Sequence, residues 1–152
     1  MTSILMVCLG NICRSPLAHG LLESKLSQED FYVDSAGTAN YHVGDAPDAR
    51  SIKVAKQHGI DISQQLGRQF QVSDFDSFDH IFVMDDSNYE NLIKLARNEE
   101  DRVKVKSILS IDHSITANAV PDPYYGDFSD FEHAYDLLNK VTDILAEQLQ
   151  KQ

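Results

Sequence analysis

The sequence predicts an α/β fold in which a four-stranded parallel sheet is covered by helices on both faces, giving three layers in a single domain. Short continuous apolar runs alternate along the chain with segments whose apolar residues recur every three or four positions. Strands that alternate with helices are joined by right-handed crossovers, which produce a mainly parallel sheet. The length of 152 residues suits one domain with a substantial core.

The first strand is predicted over residues 3–7, because a continuous apolar run with Ile and Val is typical of a strand buried on both faces. Ser15 and Pro16 have the residue types of a helix N-cap and first turn. The helix that follows has four leucines on one face: Leu17, Leu21, Leu22 and Leu26. Cys8 is therefore expected at the end of a strand, just before a loop that leads into a helix.

The next elements continue this alternation. Residues 31–35 predict a second strand, and residues 37–47 are rich in Gly, Asn, Asp and Pro, which predicts a long surface loop. A helix is expected over residues 48–58, with Gly59 as its stop signal.

The second half of the chain repeats the buried-strand signature at residues 80–84. Ser87 with Glu90 matches a capping box that would open the next helix. A weaker fourth strand is predicted over residues 102–107, and residues 111–129 are irregular.

The last helix is the clearest in the chain. Ser129 with Glu132 matches a second capping box, and Asp127 and Asp130 are expected to be surface or helix-start charges. The apolar face repeats at three- and four-residue steps: Phe131, Ala134, Tyr135, Leu138, Val141, Thr142, Leu145 and Leu149.

Composition excludes several classes of function. Thirteen basic and twenty-four acidic residues give a formal charge of −11, which repels nucleic acid and anionic lipid. No apolar run approaches the ~20 residues of a membrane span, and the first residues do not resemble a secretory signal. We therefore expect a cytoplasmic protein that binds neither nucleic acid nor membrane. The six histidines and two cysteines lack zinc-ligand spacing, so we expect no metal or other cofactor.

The loop from Cys8 to Arg14 predicts a phosphate site. Gly10 and Asn11 tolerate left-handed backbone, so the loop amides from Leu9 to Cys13, including that of Ile12, can converge on an anion together with the N-terminus of the helix. The Arg14 guanidinium can bind two phosphate oxygens.

The positive end of the helix and the Arg14 guanidinium also favour a thiolate at Cys8. This thiolate is placed to attack phosphorus, and the Ser15 hydroxyl can donate a hydrogen bond to its sulfur. The alternative for Cys8 is an ordinary buried strand residue. Cys13 is either a packing residue or the partner in a reversible disulfide that protects Cys8 from over-oxidation.

Four stretches resemble the low-molecular-weight protein tyrosine phosphatases: VCLGNICRSP at residues 7–16, DSAGT at 34–38, VMDDSN at 83–88 and DPYYGD at 122–127. The resemblance extends over residues 1–152 as one phosphatase domain and implies a flavodoxin-like strand order 2-1-3-4. It also implies a metal-independent hydrolase that acts through a cysteinyl-phosphate on tyrosine-phosphorylated proteins and small aryl phosphates, as a monomer or a weak homo-oligomer.

The resemblance also assigns residues outside the loop. Asp122, before Pro123, corresponds to the general acid, although alone it would be interpreted as a turn carboxylate. Tyr41 and Tyr124 resemble walls that flank the substrate ring. Tyr125 either joins them or is half-buried packing. Asp85 either helps to hold the loop and its arginine or begins a helix.

Three other functions share some of these sequence features. A thiol-dependent arsenate reductase needs cysteines beyond Cys13 to relay a disulfide. A protein-arginine phosphatase of the same family has threonine beside the loop asparagine, where this chain has Ile12. A non-catalytic phosphate-binding module would need neither Cys8 nor Asp122.

Overall fold

The computed structural model describes all residues, 1–152, and is built on a parallel sheet of four strands in the order β2-β1-β3-β4. The strands are β1 (Thr2–Cys8), β2 (Phe31–Gly37), β3 (His80–Val83) and β4 (Val105–Ser107). The predicted α/β fold and the strand order 2-1-3-4 are therefore confirmed. Because β1 is central, its carboxyl end, Cys8, lies at the switch point in strand order where such sheets bind ligands.

Helices cover both faces of the sheet. They are α1 (Arg14–Lys25), α2 (Ala49–Gln57), α3 (Asp74–Ser77), α4 (Asp86–Leu95), α5 (Glu99–Lys104) and α6 (Phe128–Gln150), with a 3-10 helix at Ile108–Ile111. Helices α1, α2 and α6 pack together on one face, and α3, α4 and α5 lie on the other. No helix is both long enough and apolar enough to cross a bilayer.

Alternation along β1 divides the core into two layers. Ile4 and Met6 pack into the larger cluster with α1 and α6, whereas Leu5 and Val7 face the smaller cluster with α3 and α4. Successive side chains of a strand point to opposite faces, so Cys8 lies on the same side as Ile4 and Met6. That is the side from which α1 begins.

The predicted fourth strand is confirmed, but only the second half of residues 102–107 forms it. Residues up to Lys104 belong to α5, and β4 has only three residues. The Asn98 side chain accepts a hydrogen bond from the Asp101 N–H and so caps α5. Acidic residues fill the first turn of α5, where the helix dipole favours negative charge.

Two predicted capping residues are also wrong. Helix α4 is capped by Asp85 rather than Ser87, and α6 is capped by Asp127, which forms a capping box with Asp130 rather than the predicted box of Ser129 with Glu132. A carboxylate at the positive end of a helix combines the cap hydrogen bond with a favourable charge interaction. Ser129 instead donates its hydroxyl to Asp127.

Gly20 allows α1 to approach the segment that follows α2. A Cβ atom at Gly20 would lie 2.5 Å from Cγ2 of Ile62 and 3.3 Å from Cγ2 of Ile60. Ile62 is buried and its γ-methyl is rigidly attached at a branched carbon, so it has little freedom to move.

We therefore expect Gly20→Ala to lower the free energy of unfolding by about 1–3 kcal/mol, although alanine normally stabilises a helix interior relative to glycine. Urea denaturation measures the change. In an Ile62→Ala background the obstructing methyl is gone, so the same substitution should be neutral or stabilising. An increase in stability from Gly20→Ala in the wild-type chain would contradict this account.

Candidate active site

The loop between β1 and α1 is shaped by one residue in a left-handed conformation. Asn11 has φ 58° and is the one non-glycine residue with positive φ. Its side chain is buried and bonded at both ends, because Nδ2 donates to Ser15 Oγ at 2.8 Å and Oδ1 accepts from the Arg68 N–H at 3.1 Å. These bonds hold the turn that carries the chain from Cys8 into α1.

The start of the loop is anchored to the segment after β2. Thr38 and Ala39 donate their N–H groups to the carbonyls of Cys8 and Leu9, at 2.9 and 3.0 Å. This close approach needs glycine at position 37, because a Cβ there would lie 2.7 Å from Leu9 O.

The thiol of Cys8 contacts a hydroxyl. Its Sγ lies 3.0 Å from Ser15 Oγ, and both side chains are buried. Helix α1 begins at Arg14, so Ser15 lies inside the first turn and is not the predicted N-cap. Because Ser15 Oγ accepts from Asn11, its single hydrogen is available to the sulfur, an arrangement that stabilises negative charge on Sγ.

The guanidinium of Arg14 is buried and held from two sides. Nη1 donates to Asp85 Oδ2 at 2.7 Å and to Val120 O at 2.9 Å. Asp85 Oδ1 also accepts from the Asn88 N–H at the start of α4. Both interpretations of Asp85 therefore hold at once, since one oxygen caps a helix and the other orients the arginine.

Asp122 lies beside the same guanidinium. Its Oδ2 is 3.8 Å from Arg14 Nη2, and its Oδ1 accepts from the Tyr124 N–H at 3.1 Å. The side chain is 42% exposed, so the carboxylate is accessible from the open side of the site.

A cavity of about 270 Å³ brings most of the predicted residues together. Its lining consists of Cys8, Leu9, Gly10, Ile12, Cys13, Arg14, Tyr41, His42, Asp122, Tyr124 and Tyr125. Asn11, Ser15 and Asp85 do not line it; they contact the lining residues from behind.

The aromatic walls differ in exposure. Tyr41 is 72% exposed, Tyr124 37% and Tyr125 95%. The rings of Tyr124 and Tyr125 meet edge to face with centroids 4.9 Å apart. Tyr125 is thus at the mouth of the cavity and is not half-buried packing, one of the two interpretations that the sequence allowed.

His42 is the lining residue that sequence reasoning missed. Its ring packs over the loop, since a Cβ at Gly10 would lie 3.2 Å from His42 Cδ2, and its Nδ1 is 3.2 Å from Asp45 Oδ2. Residues 42–45 are held in place by hydrogen bonds with Gly67. No spacing of histidines signals this position; only its place beside Tyr41 in the long loop could have indicated it.

Cys13 differs from Cys8 in its surroundings. Burial raises the pKa of the Cys13 thiol to about 12, and the negative charges of Asp48, Cys8 and Asp122 act in the same direction. Cys13 is therefore a protonated thiol at neutral pH. Both cysteines are free in this structure.

Comparison with known proteins identifies the family. The sequence model described as low molecular weight phosphotyrosine protein phosphatase matches residues 3–152. The human protein of that name is 39% identical and covers 88% of this chain and 86% of its own length. The Dictyostelium discoideum protein of the same name is 38% identical, covering 97% and 92%.

Solved structures agree with the sequence comparison. A protein tyrosine phosphatase from Entamoeba histolytica superposes with a TM-score of 0.93 at 35% identity, covering 99% of this chain and 98% of its own. Vibrio vulnificus Wzb, in complex with benzylphosphonate, superposes with a TM-score of 0.86 at 31% identity, covering 97% and 98%. The chain belongs to the low molecular weight phosphotyrosine protein phosphatase family.

Proposed function

We propose that this protein hydrolyses phosphotyrosine in proteins, and small aryl phosphates, with Cys8 as nucleophile, Arg14 as phosphate ligand and Asp122 as general acid. The observation that carries the proposal is that one cavity holds all three groups: a thiol bonded to a hydroxyl, a buried guanidinium and an accessible carboxylate. Each supplies a different requirement of phosphoryl transfer from a phenol.

In the first step the Cys8 thiolate attacks phosphorus while the bond from phosphorus to the phenolic oxygen breaks. Asp122 gives its proton to that oxygen, so the leaving group departs as a neutral phenol. Negative charge on the remaining oxygens is stabilised by Arg14, by the loop amides of residues 9–13 and by the N-terminus of α1. The product is a cysteinyl-phosphate.

In the second step water attacks the cysteinyl-phosphate. The Asp122 carboxylate takes a proton from the water, and the bond from phosphorus to sulfur breaks. Ser15 Oγ, 3.0 Å from Sγ, stabilises the departing thiolate. Phosphate is released, and Asp122 is again protonated for the next cycle.

The walls of the cavity support an aryl substrate. Tyr41, Tyr124 and, at the mouth, Tyr125 offer ring surfaces above the buried sulfur. We expect a phosphoserine, which is shorter and has no ring, to leave its phosphate short of Cys8. Benzylphosphonate, bound by the Vibrio vulnificus relative, has the same combination of ring and tetrahedral phosphorus group. The net charge of −11 favours substrates with basic residues near the phosphotyrosine.

We also propose that the protein acts in the cytoplasm, where reducing conditions keep Cys8 reduced and free of a disulfide. The proposed steps are completed by the side chains of one chain, which is compatible with a monomer or a weak homo-oligomer.

Replacing the nucleophile tests the central assignment. Cys8→Ser should lower turnover of p-nitrophenyl phosphate, assayed with a chelator present, by roughly a thousandfold or more, because an unactivated hydroxyl is a much weaker nucleophile. The variant should keep the melting temperature of the wild type and its binding of inorganic phosphate. Turnover at the wild-type rate would exclude Cys8 as nucleophile.

Removing the acid tests the second assignment. Asp122→Ala should lose about 10²- to 10⁴-fold in kcat/KM with phenyl phosphate, because kcat/KM reports the first step and this leaving group needs a proton. With p-nitrophenyl phosphate the loss in kcat/KM should be much smaller, because p-nitrophenolate leaves without a proton. Equal losses of kcat/KM with the two substrates would remove the acid role from Asp122.

Oxidation tests the role of Cys13. Peroxide should convert the Cys8 thiolate to a sulfenic acid, and the Cys13 sulfur should then form a disulfide with it and release water. Since Cys13 must lose its proton and its pKa is raised to about 12, the disulfide should form faster at higher pH. Peptide mapping after peroxide, with and without reductant, measures it. Direct conversion of Cys8 to sulfinic acid in the wild type would show that Cys13 does not protect it.

A further inference from the structure

One arginine outside the cavity contacts the loop that contains Asp122. Arg50, in the first turn of α2, donates from Nη2 to Tyr124 O at 3.0 Å and from Nη1 to Gly126 O at 3.3 Å. Its guanidinium also lies over two rings, with Cζ 5.8 Å from the Tyr124 centroid and 4.4 Å from that of Phe131. The guanidinium therefore connects α2 and α6 to the loop.

The orientation of Arg50 is set by a carboxylate. Asp48 accepts from Arg50 Nε at 3.0 Å and from Nη2 at 2.9 Å, a bidentate pair. Asp48 is also the N-cap of α2, where its Oδ1 accepts from the Arg50 N–H at 2.9 Å. Hydrogen bonds from Arg50 lower the pKa of the Asp48 carboxyl, so the pair is charged at neutral pH.

The first turn of α2 also holds the loop from Cys8 to Arg14, which contains the proposed nucleophile. The Asp48 N–H donates to Ile12 O at 2.8 Å, and Ser51 Oγ donates to Cys13 O at 3.3 Å. Residues 48–51 thus contact both loops that meet at the cavity.

Residues 122–126, called here the acid loop, have few other attachments to the rest of the protein. Within residues 122–126, the hydrogen bonds from Tyr124 N to Asp122 Oδ1 and from Gly126 N to Pro123 O are internal to the loop. The hydrogen bonds that reach this segment from the rest of the protein both come from Arg50. The remaining polar link is the 3.8 Å ion pair of Asp122 with Arg14.

We propose that Arg50, oriented by Asp48, is a positioning residue that holds Asp122 and the Tyr124 wall at the working distance from Cys8. The inference rests on the proposed function, because it concerns the acid of that reaction. Arg50 touches neither the phosphate nor the reacting atoms. Its effect passes through the backbone of residues 124–126, so it acts mainly on proton transfer from Asp122, with a smaller effect on ring binding by Tyr124, and leaves phosphate capture to Arg14 and the loop amides.

The proposal is tested with Arg50→Met, which keeps an unbranched apolar side chain but donates no hydrogen bond. An ångström of misplacement can cost up to ~10²-fold in rate, so we expect kcat/KM to fall about 10-fold with phenyl phosphate and about 2-fold or less with p-nitrophenyl phosphate. In an Asp122→Ala background the same substitution should cost less than about 2-fold with either substrate, because no acid remains to be positioned.

Two further variants separate positioning from folding. Asp48→Asn keeps a good N-cap for α2 but loses the charged pair, so it should show the same dependence on leaving group with a smaller loss. Lys53→Met is the matched control: its ammonium lies over the Phe128 ring at 4.5 Å and makes no hydrogen bond to the acid loop, so its kinetics should match the wild type. Inhibition by inorganic phosphate should be unchanged in all three, because Arg14 and the loop amides are untouched.

Hydrogen exchange gives a readout that needs no catalysis. The peptide covering residues 122–127 should exchange faster in Arg50→Met than in the wild type or in Lys53→Met. Unchanged exchange overturns the proposal, and so do equal losses with both substrates that persist in the Asp122→Ala background. A wild-type protein that fails to hydrolyse either substrate would instead overturn the proposed function, while the exchange result would still decide whether Arg50 holds the loop.

Discussion

The site depends on the burial of one charge. The Arg14 guanidinium is 3% exposed, and a cation removed from water is tolerated only where anions and carbonyls surround it. Asp85 and Val120 O supply those partners from two separate parts of the chain. Since both attach to Nη1, the other terminal nitrogen is left for an anion from outside, with Asp122 Oδ2 next to it at 3.8 Å. The partners that stabilise the buried Arg14 charge also determine which of its terminal nitrogens faces the phosphate in the proposed reaction.

The sheet determines the position of the Cys8 sulfur. Cys8 ends the central strand, and the alternation of β1 places it on the side where α1 begins. A strand buried on both sides has one register, because a shift by one residue would exchange the two cores. The sulfur therefore sits at a defined height and on a defined face before any contact within the loop is made. The Ser15 hydroxyl, held by Asn11, then adds a hydrogen-bonding contact to a sulfur whose position the strand already determines.

Sequence reasoning succeeded where the signal was local and failed where tertiary contacts decided the outcome. Local residue types predict β1, β2 and β3, as well as the loop from Cys8 to Arg14 that joins a strand to a helix. The caps were missed because several Asp and Ser residues lay close together, and only the folded backbone selects which side chain meets the helix N–H groups. The predicted length of the strand at residues 102–107 is too great because its first part belongs to a capped helix.

His42 gives no periodic signal in the sequence, since its position depends on how residues 42–45 pair with Gly67. Arg50 was overlooked for the same reason: the partners that give it meaning, Tyr124 and Gly126, lie more than seventy residues away.

The proposed anion site lies in a protein whose net charge has the same sign as its ligand. A formal charge of −11 produces a field that repels a phosphate dianion at long range, but at physiological ionic strength this field is screened over about 8 Å. In the proposed reaction the N–H groups of the loop, the end of α1 and Arg14 act in contact with the phosphate, where screening by salt is ineffective. On this proposal phosphate binding is decided inside the cavity, while the acidic surface acts earlier, on the encounter with a partner. The proposed function therefore disfavours a multiply charged phosphate without a ring at both stages, because the acidic surface repels it and it leaves the walls of Tyr41 and Tyr124 without a contact.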